Sequence, residues 1–361
     1  MPAPVFEVLT RYLADERDMG GYETEAARAA DLDRFYSGFA DMLGVQPAEI
    51  AFTESATRAW DMVFYGLRWQ RGDEVIIHVS DYGSYTLSLR QMQARSGIVV
   101  RLCPSDASGQ IDVSALAAMI GPRTRLISLS HVPTQGGMVN PAEEVGRVAR
   151  AAGVLFSLDA CQSLGQIEVN VPRIGCDFLS GTGRKFLRGP RGTGVLYVGT
   201  HVLDQLDPPF IDGHSARVEG DGFAWEAGAR RFEAFEQNYA GKAGLARAVD
   251  YAMQIGLGVI EARVAGLAAE LRAGLGRVPG VVCHDQGLRK SGIVTFSRAG
   301  REARDLSARL AELGMNTSVS HAHWAPTDFA ARGLPDMVRA SVHCYNSEEE
   351  VARFVAAVAG L

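Results

Sequence analysis

The sequence predicts an α/β fold: a mostly parallel sheet with helices on both faces, followed by a smaller α+β unit at the C-terminus. Two observations carry this. Through the first two thirds of the chain, short near-continuous apolar runs recur between helical windows, the pattern of parallel strands buried on both faces. Beyond a long apolar helical stretch, strands and helices alternate again in a unit of their own. The expected division is a segment 1–14 packing with the small domain, a large ligand-binding domain 15–245, and a small C-terminal domain 246–361.

The elements follow in order. Residues 1–50 read as helical, with Glu25–Leu43 rich in Ala, Leu and charged residues. Ile50–Thr53 reads as a short strand, and the polar Glu54-Ser-Ala-Thr57 then opens an apolar helical run over Ala59–Leu67. Further strands are expected at Glu74–His78, Ile98–Cys103, Arg125–Ser130, Val154–Asp159 and Gly194–Val198. Helices are expected between them over Ser84–Ser96, Val113–Ile120 and Pro141–Ala152. Pro208–Arg230 is Gly-rich and polar and reads as a loop. A long helix is expected over Ala240–Leu275. After it come strands Gly292–Phe296 and Val338–Val342, a helix from Glu302 to Leu313, and a last helix after Asn346. There Glu348-Glu-Glu350 places acidic side chains in the first turn.

Composition narrows the function. The 361 residues are 47% hydrophobic and 22% charged, an ordinary globular balance with enough apolar material for a core. The formal net charge is −6 and no basic stripe is present, which argues against nucleic acid or an anionic membrane as partner. No apolar run is long enough to span a bilayer, and the N-terminus lacks the features of a signal peptide, so a cytoplasmic location is expected. The five cysteines, Cys103, Cys161, Cys176, Cys283 and Cys344, form no CxxC pair. They point to neither a disulfide framework nor a metal site.

Four local patterns carry chemistry. In Ser180-Gly-Thr-Gly-Arg-Lys-Phe-Leu-Arg-Gly-Pro-Arg-Gly-Thr-Gly194 a lysine, Lys185, sits among glycines beside a strand. Lysine is costly to bury as a cation, and condensation with an aldehyde cofactor removes the charge. The alternative is a surface lysine in a flexible loop. Asp159 stands at the C-terminal end of a buried strand, where open α/β sheets bind ligands. A carboxylate there holds a pyridinium N–H, with Gln162 in reach of the ring oxygen; or it simply caps the next helix. Ser55 and Thr57 at a strand-to-helix junction form an anion site, or an ordinary N-cap. Arg339, inside an apolar strand, asks for a bidentate anion or a structural ion pair.

Their order and spacing carry more than each alone. The chain resembles the class V aminotransferases of the cysteine-desulfurase type, a branch of the fold-type I enzymes that use pyridoxal 5'-phosphate (PLP). Thr53–Thr57, His131-Val-Pro-Thr-Gln-Gly-Gly-Met-Val-Asn-Pro141, Leu158–Gly165, Cys176–Phe178 leading into Arg184-Lys185, Gly189–Gly194 and Val338–Ser341 with Tyr345-Asn346 carry the resemblance. It implies that Lys185 binds PLP covalently and then moves the proton, that Asp159 pairs with the ring nitrogen, and that Gln162 bonds the phenolic oxygen. It further implies that Ser55, Ala56, Thr57 and Thr182 hold the phosphate, that Tyr82 stacks on the ring, that Thr134 and His131 lie beside it, and that Arg339 clamps the substrate carboxylate. A homodimer is implied as well.

The departures from the family pattern bear on the reaction. The loop Ser318-Val-Ser-His-Ala-His-Trp-Ala-Pro326 holds no cysteine where desulfurases carry their nucleophile, and Cys344 lies beyond the strand. Arg184 replaces a histidine and sets a cation beside Lys185, which favours the free amine. Phe235 and Glu236 replace a Gly-Thr pair that contacts the neighbouring subunit's phosphate. In detail the pattern is most similar to the carbon–sulfur lyases of ergothioneine biosynthesis, with isopenicillin-N-epimerase-like enzymes close by. The expected function is therefore α,β-elimination on a small cysteine-derived amino acid, with His321 or His323 protonating the leaving group and Trp324 lining the pocket. Transamination or epimerisation with the same residues is the alternative, and a non-catalytic PLP-binding protein is a third reading.

Overall fold

A computed structural model describes all 361 residues. In chain order the elements are α1 (Ala3–Met19), α2 (Gly21–Ala27), α3 (Ala29–Leu43), β1 (Ile50–Thr53), α4 (Ala56–Gly66), β2 (Glu74–His78), α5 (Gly83–Ser96), β3 (Val99–Cys103), α6 (Val113–Met119), β4 (Thr124–Ser130), α7 (Ala142–Ala152), β5 (Leu155–Asp159), α8 (Val171–Ile174), β6 (Phe178–Thr182) and β7 (Gly194–Val198). There follow β8 (Ala216–Glu219), β9 (Gly222–Trp225), α9 (Tyr239–Ile255), α10 (Leu257–Leu275), β10 (Val281–Cys283), β11 (Ile293–Arg298), α11 (Ala303–Glu312), β12 (Ser318–Ser320), α12 (Pro326–Arg332), β13 (Met337–Ser341) and α13 (Glu348–Gly360).

Seven strands form the large sheet in the order β1-β7-β6-β5-β4-β2-β3. All run parallel except β7, which pairs antiparallel with both β1 and β6. Alternating side chains split the core between the faces, as the period of a strand requires. Ile76, Ile127, Phe156 and Leu158 join one apolar cluster, while Val75, Ile77, Leu126 and Leu155 join the other. The C-terminal unit holds an antiparallel sheet in the order β10-β11-β13-β12. Its last helix, α13, starts in a capping box: Ser347 Oγ accepts from Glu350 N and Glu350 Oε2 accepts from Ser347 N.

Two expectations are corrected. The long helix over Ala240–Leu275 is two helices bent by 80° at Gly256, whose φ of +94° is open to glycine. No single helix is long and apolar enough to cross a membrane. The stretch Pro208–Arg230, read as a loop, contains the β8–β9 hairpin. Its strands are largely exposed, so no apolar alternation marked them in the sequence. Helix α1 lies along α9. Burial, then Arg188 and the chain's terminal amine just ahead of α1, hold the His343 imidazole, beyond β13, down at about 4.

A buried ion pair fixes the strand that leads into the site. Glu233 accepts from Phe52 N at 2.7 Å and from the Tyr36 hydroxyl at 2.9 Å, with Lys242 Nζ at 3.5 Å. Satisfying the β1 backbone from a side chain in this way ties β1 to the segment before α9.

Candidate active site

The chemistry collects at the C-terminal ends of the parallel strands, as expected for an open α/β sheet. β4 ends at Ser130, β5 at Asp159, and β6 at Thr182 before the turn that carries Lys185. Asp159 is 7% exposed. Its Oδ1 accepts from Cys161 N at 2.8 Å, and its Oδ2 has only the Ser130 hydroxyl at 3.4 Å. Burial pushes this carboxyl up, while the Cys161 N–H, the Lys185 charge and Ser130 pull it back. The same Lys185 charge acts on the Cys161 thiol, which burial raises to about 11. The half-buried amine is therefore close enough to act on the buried carboxyl, although no ion-pair contact joins them.

The Lys185 turn is tightly closed. Gly189 N donates to Gly183 O at 2.7 Å, and Arg188 N donates to Lys185 O at 2.9 Å. Gly165 lets this turn approach: its φ is +89°, and a Cβ there would stand 2.5 Å from the backbone of Phe186 and Leu187. The chain has three lysines. Lys242 is buried in its pair with Glu233 and Lys290 is exposed. Lys185 alone stands beside the strand-end carboxylate.

Ser55 caps α4 by accepting from Arg58 N at 3.2 Å. The next two amides, of Ala56 and Thr57, have no protein acceptor, which leaves a small anion cradle at the start of an eleven-residue helix. Gly194 of β7 makes this possible, since a Cβ there would lie 2.9 Å from the Ser55 carbonyl carbon. Thr182, buried next to it, turns its hydroxyl to Thr193 O at 3.2 Å.

Gln162 Nε2 donates to Thr134 Oγ1 at 3.1 Å. Tyr82 begins α5 and meets Tyr85 edge-on at 5.9 Å, and Tyr85 stacks on Trp60 at 4.3 Å. His131 is buried with Nδ1 unpartnered, and burial together with Arg289 holds it near 4, as a neutral imidazole. Arg339 donates to Thr134 O at 2.9 Å and to Ser318 Oγ at 3.1 Å. No carboxylate pairs with it, and burial with the neighbouring Arg184 lowers its pKa. His321 Nδ1–H donates to Asp336 Oδ2 at 2.7 Å, leaving Nε2 without a protein partner. His323 and Trp324 are exposed, and the Trp324 carbonyl abuts Gly83, next to Tyr82. This places the Ser318–Pro326 loop over the start of α5.

Sequence reasoning missed three residues here: Asp81, Ser130 and Tyr85. Asp81 is buried three residues past the end of β2, and its Oδ1 accepts from Ser130 N at 2.8 Å. Tyr85 shares a hydrogen bond with Ser180 at 2.7 Å beneath the same strand ends. Asp81 lies in the turn beyond β2 rather than on the strand, so the strand-end signal that singled out Asp159 does not reach it.

The arrangement leaves three things open: a free cation-binding edge at Asp159, an anion cradle at Ser55–Thr57, and an unpaired guanidinium at Arg339. PLP fits the first two with its ring nitrogen and phosphate, and an amino-acid carboxylate fits the third. Comparison with known proteins agrees. The family description aminotransferase class-V matches residues 1–354. A probable cysteine desulfurase of Methanothermobacter thermautotrophicus is 30% identical over 357 residues, covering 97% of this chain and 89% of the relative. The apo structure of the cysteine desulfurase of Thermococcus onnurineus NA1 superposes with a TM-score of 0.93 at 30% identity, covering 100% of this chain and 91% of that one. The cystine C–S lyase C-DES, solved in complex with its product cysteine persulfide, gives a TM-score of 0.90 at 25% identity, covering 99% of this chain and 94% of that one. Another structure of C-DES, a Lys-to-Ala variant, has glycine covalently linked to PLP; it gives a TM-score of 0.89 at 25% identity over 99% of this chain and 93% of that one.

Proposed function

The chain belongs to the aminotransferase class-V family, whose enzymes depend on PLP, and from that premise we propose that it is a carbon–sulfur lyase performing α,β-elimination on a cysteine-derived amino acid. The observation that carries this is that the Lys185 charge acts on the buried Asp159 carboxyl at the strand ends, with Arg339 of the C-terminal sheet left without a carboxylate partner nearby. PLP, when bound, supplies the electron sink for charge left on the substrate Cα. Lys185, Asp159, Gln162, Tyr82, Thr134 and Thr182, with the cradle Ser55-Ala56-Thr57, are the residues proposed to hold it.

The protein's own groups divide the work. Lys185 would hold the cofactor through its aldehyde and would serve as the base for the substrate Cα proton. Asp159 would pair with the ring nitrogen and favour its protonated form. Arg339 fixes the carboxylate and so sets the orientation of the Cα–H bond. His321, its Nδ1–H held by Asp336, would protonate a sulfur leaving group from Nε2 when that nitrogen also carries a proton; His323 and Trp324 belong to the same loop. A cysteine nucleophile is absent from Ser318–Pro326, so direct elimination rather than transfer of sulfur to the enzyme is proposed. Similarity to a cystine C–S lyase supports the same choice.

Two copies are proposed to pair over the face bearing Phe210, Ile211 and Phe235, which are half-exposed. Phe210 and Ile211 line a hollow with Glu54 and Arg58, next to the anion cradle. Such apolar exposure at a site's edge marks an interface.

The test is substrate profiling with cysteine S-conjugates and their sulfoxides. Pyruvate release is expected. Amino transfer to a keto acid with no pyruvate would overturn elimination while leaving the cofactor site standing.

A further inference from the structure

Asp81 has no part in the chemistry described so far, yet it is built into the same end of the sheet. It is 6% exposed. Its Oδ1 accepts from Ser130 N at 2.8 Å, its own N–H donates to His78 O at 3.1 Å, and its Oδ2 is buried without any partner. Ser130 also turns its hydroxyl to Asp159 Oδ2 at 3.4 Å, so one residue touches both carboxyls. The titratable groups acting with Asp81 are Asp159 of β5 and Tyr85 of α5. The nearby His78 ring is occupied by the hydroxyls of Ser80 and Ser105. No cation pairs with Asp81, unlike Asp159, which feels Lys185. A carboxylate in such a place, beside another carboxylate, is costly; a carboxylic acid is not.

We propose that Asp81 is a second carboxyl of the ring-nitrogen site, a positioning residue that stays protonated at neutral pH and acts through Ser130 on Asp159, so that this end of the sheet carries one negative charge. The inference rests on the reading of Asp159 as the partner of the ring cation. Burial, with Asp159 adding to it, pushes Asp81 up to about 8. Between the ordinary carboxylate range and about 8 the folded chain holds a proton that the unfolded chain has released. Stability from this group is full at acid pH and is lost as pH rises to about 8.

The experiment compares the cofactor-free wild type with Asp81→Asn and Asp81→Ala. Asp81→Asn keeps an acceptor for Ser130 N–H and cannot ionise. Its melting temperature is expected to exceed that of wild type by a margin that widens from mildly acid pH up to about pH 8 and then holds. Asp81→Ala, lacking the acceptor, should run parallel to Asp81→Asn and below it. Superimposable pH profiles for wild type and Asp81→Asn would overturn the proposal without touching the lysine assignment. PLP binding, followed by absorbance, gives the second readout. Wild type and Asp81→Asn should bind alike at neutral pH and diverge above about pH 8, wild type tighter because a second negative charge then faces the ring cation. Equal affinity throughout, or a loss of about tenfold or more in Asp81→Asn already at neutral pH, contradicts a protonated Asp81 acting on Asp159. Absence of any PLP binding in wild type would instead sink the cofactor reading itself.

Discussion

Arg339 of the C-terminal sheet donates from Nη1 to the carbonyl oxygen of Thr134, at the ends of the large sheet's strands, across 2.9 Å. A neutral carbonyl and the Ser318 hydroxyl are its protein partners. The guanidinium is thus positioned over the site but its charge is unanswered, which is what a carboxylate-binding arginine requires.

Arg339→Lys keeps the charge and loses the planar fork. The KM for an amino-acid substrate is expected to rise about 10- to 100-fold, the equivalent of ~1.5–3 kcal/mol for a charged hydrogen bond. Steady-state kinetics checks it. An unchanged KM would remove Arg339 from substrate binding.

Gly165→Ala places a Cβ 2.5 Å from the Phe186 and Leu187 backbone at a left-handed φ. The turn holding Lys185 must shift. The variant should lose about 1–3 kcal/mol of stability and take up less PLP, read by melting and by absorbance. Wild-type cofactor uptake would show that the turn tolerates displacement.

Acid should weaken the fold through His78 and His131. Burial holds both imidazoles near 4, against about 6.5 in an unfolded chain. Below that value the unfolded state binds protons that the folded state does not, so stability is full above about 6.5 and is lost as pH falls toward 4, by up to ~1.4 kcal/mol per pH unit for each ring. Urea unfolding between neutral pH and about pH 5 should show a slope one proton shallower in His78→Gln than in wild type. Parallel slopes would mean that His78 titrates normally.

Much of this was legible in the sequence, for identifiable reasons. The parallel strands are buried on both faces and so read as apolar runs; Asp159 breaks such a run at its end and Lys185 stands out among glycines. β10 and β12 are three residues each, too short for any period, and exist because β11 and β13 offer them edges. The α9–α10 bend leaves the apolar pattern unbroken, and only the φ of Gly256 shows it. Asp81 was hidden because His78-Val-Ser-Asp81 reads as a polar turn after a strand. Its hydrogen bond from Ser130 N, at the end of the sequence-distant β4, appears only in the fold.

The covalent site of PLP tests the central claim most directly, because the chain offers three lysines with distinct surroundings. The protein would be loaded with PLP, reduced with borohydride, digested and mapped by mass spectrometry. The modified peptide is expected to contain Lys185. A pyridoxyl group on Lys242 or Lys290 instead, or stable binding with no adduct at Lys185, would contradict the account.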